Sequence, residues 1–452
     1  MSEKIVRLGA GSGWWGDRID PAANLANAGI LDYLCFETMA EATMSSARVK
    51  MRANPNNPGF DDRLEARFKA VLPGCVKKGT KIISNQGWAN PVGAMRKVLE
   101  VARELGIKKL KVAAVTGTVP DDVLKNFSGT VMETGLPFKD LNYPVISVDP
   151  YIGVAPVVQA LKEGADVVIT SRVADPTLYL APLIHEYGWS VEDWTRMGKG
   201  TAVGHLLECG AQCVGGYFCD PGYKDVPNLA TVGFGIAEVR ESGDCVITKL
   251  PDAGGMVTEA TCKEQLLYEI HDPAAYITPD VVADFSKIRF RQLEKDRVEV
   301  TGGNGKPKTP TIKSCVGCLE GYLAEDWFFY AGPGALSKAK FVKEILKQRF
   351  EIVNMKVDEY RIDFLGVNAV HGDMSPEPVH EPYEVGVRVV AKGQDVNEVN
   401  KVLHEVDGIA VCGLAGTGKR VPTGVRTREV IGLSSILVPR EQVKIDLQIE
   451  EI

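Results

Sequence analysis

Along the first half of the chain, short apolar runs alternate with longer amphipathic stretches, and the junctions share one punctuation. Lys4-Ile-Val-Arg-Leu8 reads as a strand running into the glycine loop Gly9-Ala-Gly-Ser-Gly-Trp-Trp-Gly-Asp17, after which Asp20-Pro21 opens a helix closed at Gly29. Asp as N-cap, Pro at the first helical position and Gly past the last turn is the order that helix ends favour. The same grammar returns for strands over 30–36 and 81–84, with Asn85-Gln-Gly-Trp-Ala-Asn90-Pro91 opening a helix that ends near Gly106. It returns again for strands over 110–115, 144–148 and 166–170, with helices ending at Gly164 and Gly188, the latter opened by Asp175-Pro176. Strands and helices alternating at this spacing predict βαβ units and a parallel sheet, so an α/β, Rossmann-like domain with helices on both faces. Near-continuous apolar runs such as Val167-Val-Ile169 fit strands buried on both sides. Beyond about residue 235 the pattern shifts to short alternating segments with Gly and Pro breaks. Helices near 334–350 and 396–406 follow, with strands at 360–365, 383–390 and 435–438. The expectation is an N-terminal domain over 1–235 and an α+β part over 236–452, either a single domain or two divided near 330.

Composition adds exclusions. The 452 residues are 45% hydrophobic and 25% charged with a net charge of −7, an ordinary globular balance that gives no basic face for nucleic acid or an anionic membrane. No run of about 18 apolar residues is present, and the charged start carries no apolar stretch behind it, so a cytoplasmic protein with no membrane partner is expected. The ten cysteines then read as thiols rather than a disulfide framework.

In open sheets of this type ligands sit beyond the carboxyl ends of the strands, which nominates the 9–17 loop, Glu37, the 85–90 segment with Asn85 and Asn90, Thr116, Asp149 and the 172–175 segment with Arg172 and Asp175. Gly11-Ser-Gly13-Trp-Trp-Gly16 has dinucleotide spacing, but its helix starts late and two tryptophans stand where a pyrophosphate needs bare backbone. Gly413-Leu-Ala-Gly-Thr-Gly-Lys419 resembles a phosphate loop, broken by Arg420 where Ser or Thr holds magnesium and by Pro422. If helical, the segment 204–216 puts His205, Glu208, Cys209 and Gln212 on one stripe. Such a stripe supports acid–base exchange by Glu208 with His205, or a Cys209 nucleophile activated by His205. Lys249 beside Gly254-Gly255 would set a cation and two backbone N–H groups around an oxyanion, and His271 lies in a carboxylate–imidazole cluster. Each group also has a plain structural reading as turn, cap or packed helix. Cys315-Val-Gly-Cys318 has zinc-knuckle spacing without a second pair, so no metal ligand is assigned and an active-site divalent ion stays open.

These segments carry a resemblance. Gly9-x-Gly-x-Gly-x-Trp-Gly-Asp17, Leu31-Asp-Tyr-Leu34, Gly164-Ala-Asp-Val-Val-Ile-Thr-Ser-Arg172-Val-Ala-Asp175 and Gly204-His-Leu-Leu-Glu-Cys-Gly-Ala-Gln212 resemble the AtuA-type family of acyclic terpene utilization proteins. So do Gly215-Gly-Tyr-Phe218, Asp220-Pro-Gly-Tyr-Lys-Asp-Val226 and Glu264-Gln-Leu-Leu-Tyr-Glu-Ile-His-Asp-Pro273. Family members carry a glycine-rich run where this chain has Asn85-Gln-Gly-Trp88, and Trp88 is a departure that would shape a pocket. The resemblance implies catabolism of acyclic terpenoid and other carboxylic acids at the CoA-thioester stage. The expectation is a homo-oligomeric lyase or hydratase type of enzyme acting on an organic acid or acyl-CoA, with CoA entering only as part of a thioester substrate and no cofactor firmly implied. Arg172 and the 9–17 loop would hold the anionic end, Asn85 would orient it, Glu208 and His205 would exchange protons, and Lys249 with Gly254-Gly255 would stabilise an enolate oxygen. The alternatives are a thioester or amide hydrolase using Cys209, and a non-catalytic subunit of a catabolic complex.

Overall fold

The computed structural model describes residues 3–419 and 425–452 and divides into two compact units. The first comprises residues up to Leu141, Ile146–Gly317 and Leu433–Ile452; the second comprises Asn142–Val145 and Cys318–Gly432.

The first unit is built on β1 (Ile5–Gly13), β2 (Tyr33–Glu37), β3 (Lys81–Ser84), β4 (Lys111–Thr118), β5 (Val145–Pro150), β6 (Val167–Thr170), β7 (Ile236–Arg240) and β8 (Cys245–Thr248). Five of these, in the order β1-β2-β3-β6-β4, form a parallel core. Their residues are almost wholly buried, as strands covered on both faces must be. The helices are α1 (Asp20–Ala28), α2 (Glu41–Ala53), α3 (Leu64–Lys78), α4 (Pro91–Glu104), α5 (Asp121–Lys125), α6 (Ala155–Lys162), α7 (Thr177–Tyr187), α8 (Trp194–Leu207) and α9 (Glu259–Leu267). α1, α3 and α4 pack on one another, and so do α6, α7 and α8. With right-handed crossovers these are the two covering layers. The fold is therefore α/β, as the alternating pattern predicts.

The strand order locates a crevice. β1, β2 and β3 each leave the sheet towards the first helical layer, whereas β4 and β6 lead into the second. The chain thus exits in opposite directions from the neighbouring ends of β3 and β6, and ligands bind where that reversal occurs in sheets of this type. Asn85 follows β3 there and Arg172 follows β6.

Several boundaries move from their predicted places. β1 continues to Gly13, so most of the expected glycine loop is strand: a Cβ on Gly11 would meet the Phe36 ring at 2.7 Å, and one on Gly13 would strike the Cys209 backbone. Those glycines permit close packing. β5, an expected member of the parallel core, instead pairs with β14 (Thr311–Ala331). The segment after 235 supplies sheet edge rather than a new domain core: β7 lies antiparallel to β1, β8 to β7, and Arg297–Thr301 to β8. The C-terminal strand Lys444–Glu451 closes the other edge on β4. The compact units therefore divide the chain differently from the expected 1–235 and 236–452.

The second unit orders its strands as Glu359–Leu365, Glu384–Gly393, β14 and Gly418–Lys419, with Thr427–Pro439 also paired to β14. Two helices, Ala335–Ile352 and Val396–Cys412, pack on the Glu384–Gly393 strand, giving the βαββαβ arrangement of a split-βαβ sandwich. Among the described residues no helix is long and apolar enough to cross a membrane.

Candidate functional site

α8 is an improbable helix by composition, with glycines at 198, 200 and 204. Packing explains it: a Cβ on Gly198 would strike the Asn304 carbonyl and one on Gly204 would meet Pro176 at 2.7 Å, so this helix threads the core only because its side chains are absent there. Its C-terminal end delivers His205 and Glu208. They stand three residues apart, and His205 Nδ1 lies 2.7 Å from Glu208 Oε1, both side chains buried. The imidazole packs on Phe285 and Tyr276, with ring centroids 5.8 and 5.2 Å away. Glu208 Oε2 and His205 Nε2 are buried without hydrogen-bond partners.

Glu37, at the end of β2, joins the same polar centre. Its Oε1 accepts from Asn85 Nδ2 at 2.9 Å and from the Met39 N–H at 2.6 Å. Asn85 Oδ1 in turn accepts from the Thr38 N–H at 2.8 Å, and Trp88 Nε1 donates to Thr38 Oγ1 at 3.2 Å. Trp88 is buried in left-handed backbone with φ 41°, strained for a bulky residue. Across the crevice, Arg172 Nη1 donates to Asp175 Oδ1 at 2.9 Å and to the Met39 carbonyl, and the guanidinium stacks 4.2 Å over the Tyr151 ring.

Burial of so many carboxyls moves their protons. Burial, reinforced by the Asp175 charge, pushes Glu37 up to about 8 despite Arg172 and Asn85. Burial likewise pushes Glu208 up to about 7, against the pull of His205. Burial alone pulls His205 down, but the charge and hydrogen bond of Glu208 outweigh it and hold the imidazole above its ordinary value. His205 and Glu208 therefore titrate as one coupled unit. Asp175 is raised by burial, with Arg172 opposing and Glu269 adding to the rise.

The other sequence candidates divide by location. Asp17 accepts from the Gly13 N–H at 2.7 Å, and Arg63, just before α3, and Arg67 within it bind the carbonyls of residues 14–17, so this turn is tied down by the protein itself. Asn90 caps α4, its Oδ1 accepting from Gly93 N–H at 2.9 Å. Regular helix stops at Leu207 and Gly210 turns the chain at φ 59°, so the expected stripe is interrupted and Gln212 begins a separate 3-10 turn. Cys209 is half-buried and its thiol is pushed far up, chiefly by desolvation and then by the Glu208 charge, while His205 Nδ1 is engaged with Glu208. Lys249 Nζ donates to the Ala253 carbonyl at 2.7 Å, and the N–H groups of Gly254 and Gly255 donate to the carbonyls of Thr231 and Pro227. Those donors are already engaged, Lys249 within its own turn and the two glycines with the 227–231 segment. His271 is exposed.

Cys315 and Cys318 lie three apart on β14, where such positions face opposite sides of the strand. Among the described residues no group of three or more His, Cys, Asp or Glu side chains is placed to hold a metal ion. Lys419 of the phosphate-loop-like segment is held by Asp407 and by Asp326 at 3.2 Å, while Arg420 and Pro422 lie outside the described residues. Sequence reading missed Tyr151 and Tyr276; it reached Glu37 by its place at a strand end, without the partners that make it part of the centre, and Glu269 only as a neighbour of His271.

Fold and geometry define an α/β protein with a buried imidazole–carboxylate centre at the carboxyl end of a parallel sheet. A sequence model described as acyclic terpene utilisation family protein AtuA matches residues 6–449, nearly the whole chain. The chain belongs to that family. No curated protein and no solved structure matches it.

Proposed function

We propose that this protein is a catabolic enzyme of acyclic terpene utilisation that acts on a carboxylic acid or its CoA thioester by lyase or hydratase type acid–base chemistry. The observation that carries the reading is the buried His205–Glu208 contact of 2.7 Å, whose outer atoms Nε2 and Oε2 are without partners. A general acid–base works best with a pKa near the operating pH, and Glu208 at about 7 meets that condition. In this reading Glu208 takes a proton from the substrate carbon or returns one to it, and His205 stabilises whichever charge state results. Glu37, proton-bearing near neutrality, supplies a second acid, with Asn85 fixing its orientation. Arg172 keeps positive charge in a centre that would otherwise hold only carboxylates and an imidazole. The stabilisation of an enolate-type oxygen falls to these groups, since the donors of the 249–255 turn are already taken by backbone carbonyls.

Nothing in the geometry favours a Cys209 nucleophile, because desolvation and the neighbouring Glu208 charge keep the thiol protonated. Thermal-shift measurements against free carboxylic acids, CoA and acyl-CoAs test the substrate class. Stabilisation that grows with ligand concentration is expected for at least one of these, and none at saturating concentrations would refute the reading.

A further inference from the structure

The first unit holds an open cavity of about 930 Å³ between the 218–225 loop and one face of α9, walled by Phe218, Tyr223, Met256, Ala260, Leu267 and Tyr268. α9 separates this cavity from the acid–base centre. On its inner side Gln265 is buried and donates to the His205 carbonyl at 2.8 Å; on its outer side Ala260 and Leu267 face the cavity. Glu269 also lines the cavity, and its charge acts on His205, Glu208 and Asp175. The edge of the cavity at Tyr268–Glu269 therefore lies within electrostatic reach of the centre. Backbone strain concentrates at the same place: Tyr217 and Glu269 hold φ values of 61° and 60°, and side-chain-bearing residues keep such angles where the surroundings impose them.

The chemistry of the walls selects the occupant. Lys224 is paired with Glu264 at 2.6 Å, and Lys263 with Glu259 at 2.8 Å, so the cations at the rim are already neutralised. What the cavity offers a ligand is aromatic and aliphatic surface, with Tyr223 88% and Leu267 58% exposed. A phosphate-bearing group would find its counter-charges taken, whereas a hydrocarbon chain would cover apolar surface, in a volume within the range of ordinary ligand sites.

We propose that this cavity is an apolar subsite taking the hydrocarbon chain of a ligand whose carboxyl or thioester end is worked on at His205–Glu208. The proposal rests on the acid–base reading of that pair. Calorimetric titration of the intact protein with straight-chain carboxylates from butanoate to dodecanoate tests it. Affinity is expected to rise about two- to fourfold per added methylene, the range for a partly to fully covered chain. Leu267→Asp and Ala260→Trp, both on the outer side of α9, are expected to flatten that rise while leaving butanoate binding and the melting temperature in place. A rise that survives both substitutions would overturn the subsite, as would a flat series in the unaltered protein with measurable butanoate binding. Failure of every chain length, butanoate included, would instead remove the underlying acid–base reading and the subsite with it. If Leu267→Asp converts a dimer to a monomer with no effect on the acid series, the face belongs to a second copy and the proposal falls.

Discussion

Replacing Glu37 by Gln tests the electrostatics of the centre without needing a substrate. The fold raises this carboxyl from 4.5 to about 8, chiefly by burial, so folding favours its protonated form. The sign follows: the stabilising contribution is complete below about pH 4.5 and is lost as pH rises through about 8. At about 1.4 kcal/mol for each tenfold change in proton affinity, the whole span is worth about 5 kcal/mol, and the part falling between pH 5 and 9 about 4 kcal/mol. The amide that Glu37→Gln introduces has no charge to bury, and its oxygen can still accept from Asn85 and Met39. Urea unfolding at pH 5, 7 and 9 is therefore expected to show the unaltered protein losing about 4 kcal/mol more than Glu37→Gln over that range, with the denaturant slope unchanged. Stability curves that stay parallel within about 1 kcal/mol would refute the reasoning, because Arg172 would then be compensating the ionised carboxylate in full.

Three further substitutions separate packing from chemistry. Gly13→Ala drives a Cβ into the Cys209 backbone, which cannot swing aside as a side chain would. A stability loss of about 3 kcal/mol is expected by chemical denaturation, and a neutral variant would contradict the close approach. Asn90→Ala removes the α4 cap and should cost about 1 kcal/mol with ligand affinity unchanged; loss of binding at unaltered stability would restore Asn90 to the site. Cys209→Ser should keep at least half the activity once a substrate is in hand, whereas a collapse of turnover in a folded variant would revive the nucleophile.

Helix starts were the most legible part of the chain, because they depend on local chemistry. Pro at the first turn and Gly29 or Gly188 past the end are visible in order, and α1, α4 and α7 begin and stop close to those marks. Even there the detail shifted: Asp20 lies inside the first turn of α1 and makes no cap, and Asp175 gives its side chain to Arg172. α3 was hidden by Pro73 in its interior, and α8 by its glycines. Long-range pairing was not legible. Val145-Ile-Ser-Val148 reads like its neighbours in the sequence, yet its partner is β14, more than 160 residues away. The same holds for β7, whose place beside β1 turns an apparent second domain into sheet edge. Within the site, the His205–Glu208 pair was legible from three-residue spacing on a helix. Lys249 and Gly254-Gly255 looked like donors because sequence shows which groups can donate and not which carbonyls already receive them.

The central claim is that the His205–Glu208 pair exchanges protons with a bound carboxylic acid or thioester. Its most direct test is mass-spectrometric detection of deuterium entering a panel of carboxylates and acyl-CoAs in D2O, comparing the unaltered protein with Glu208→Gln. The substituted amide keeps the size of the side chain and can still hydrogen-bond His205, but it cannot exchange a proton with substrate as an acid or base at neutral pH. Incorporation into at least one ligand is predicted, falling by a factor of about 100 or more in the variant. Incorporation that is absent from the unaltered protein, or that proceeds equally fast in Glu208→Gln, would contradict the account.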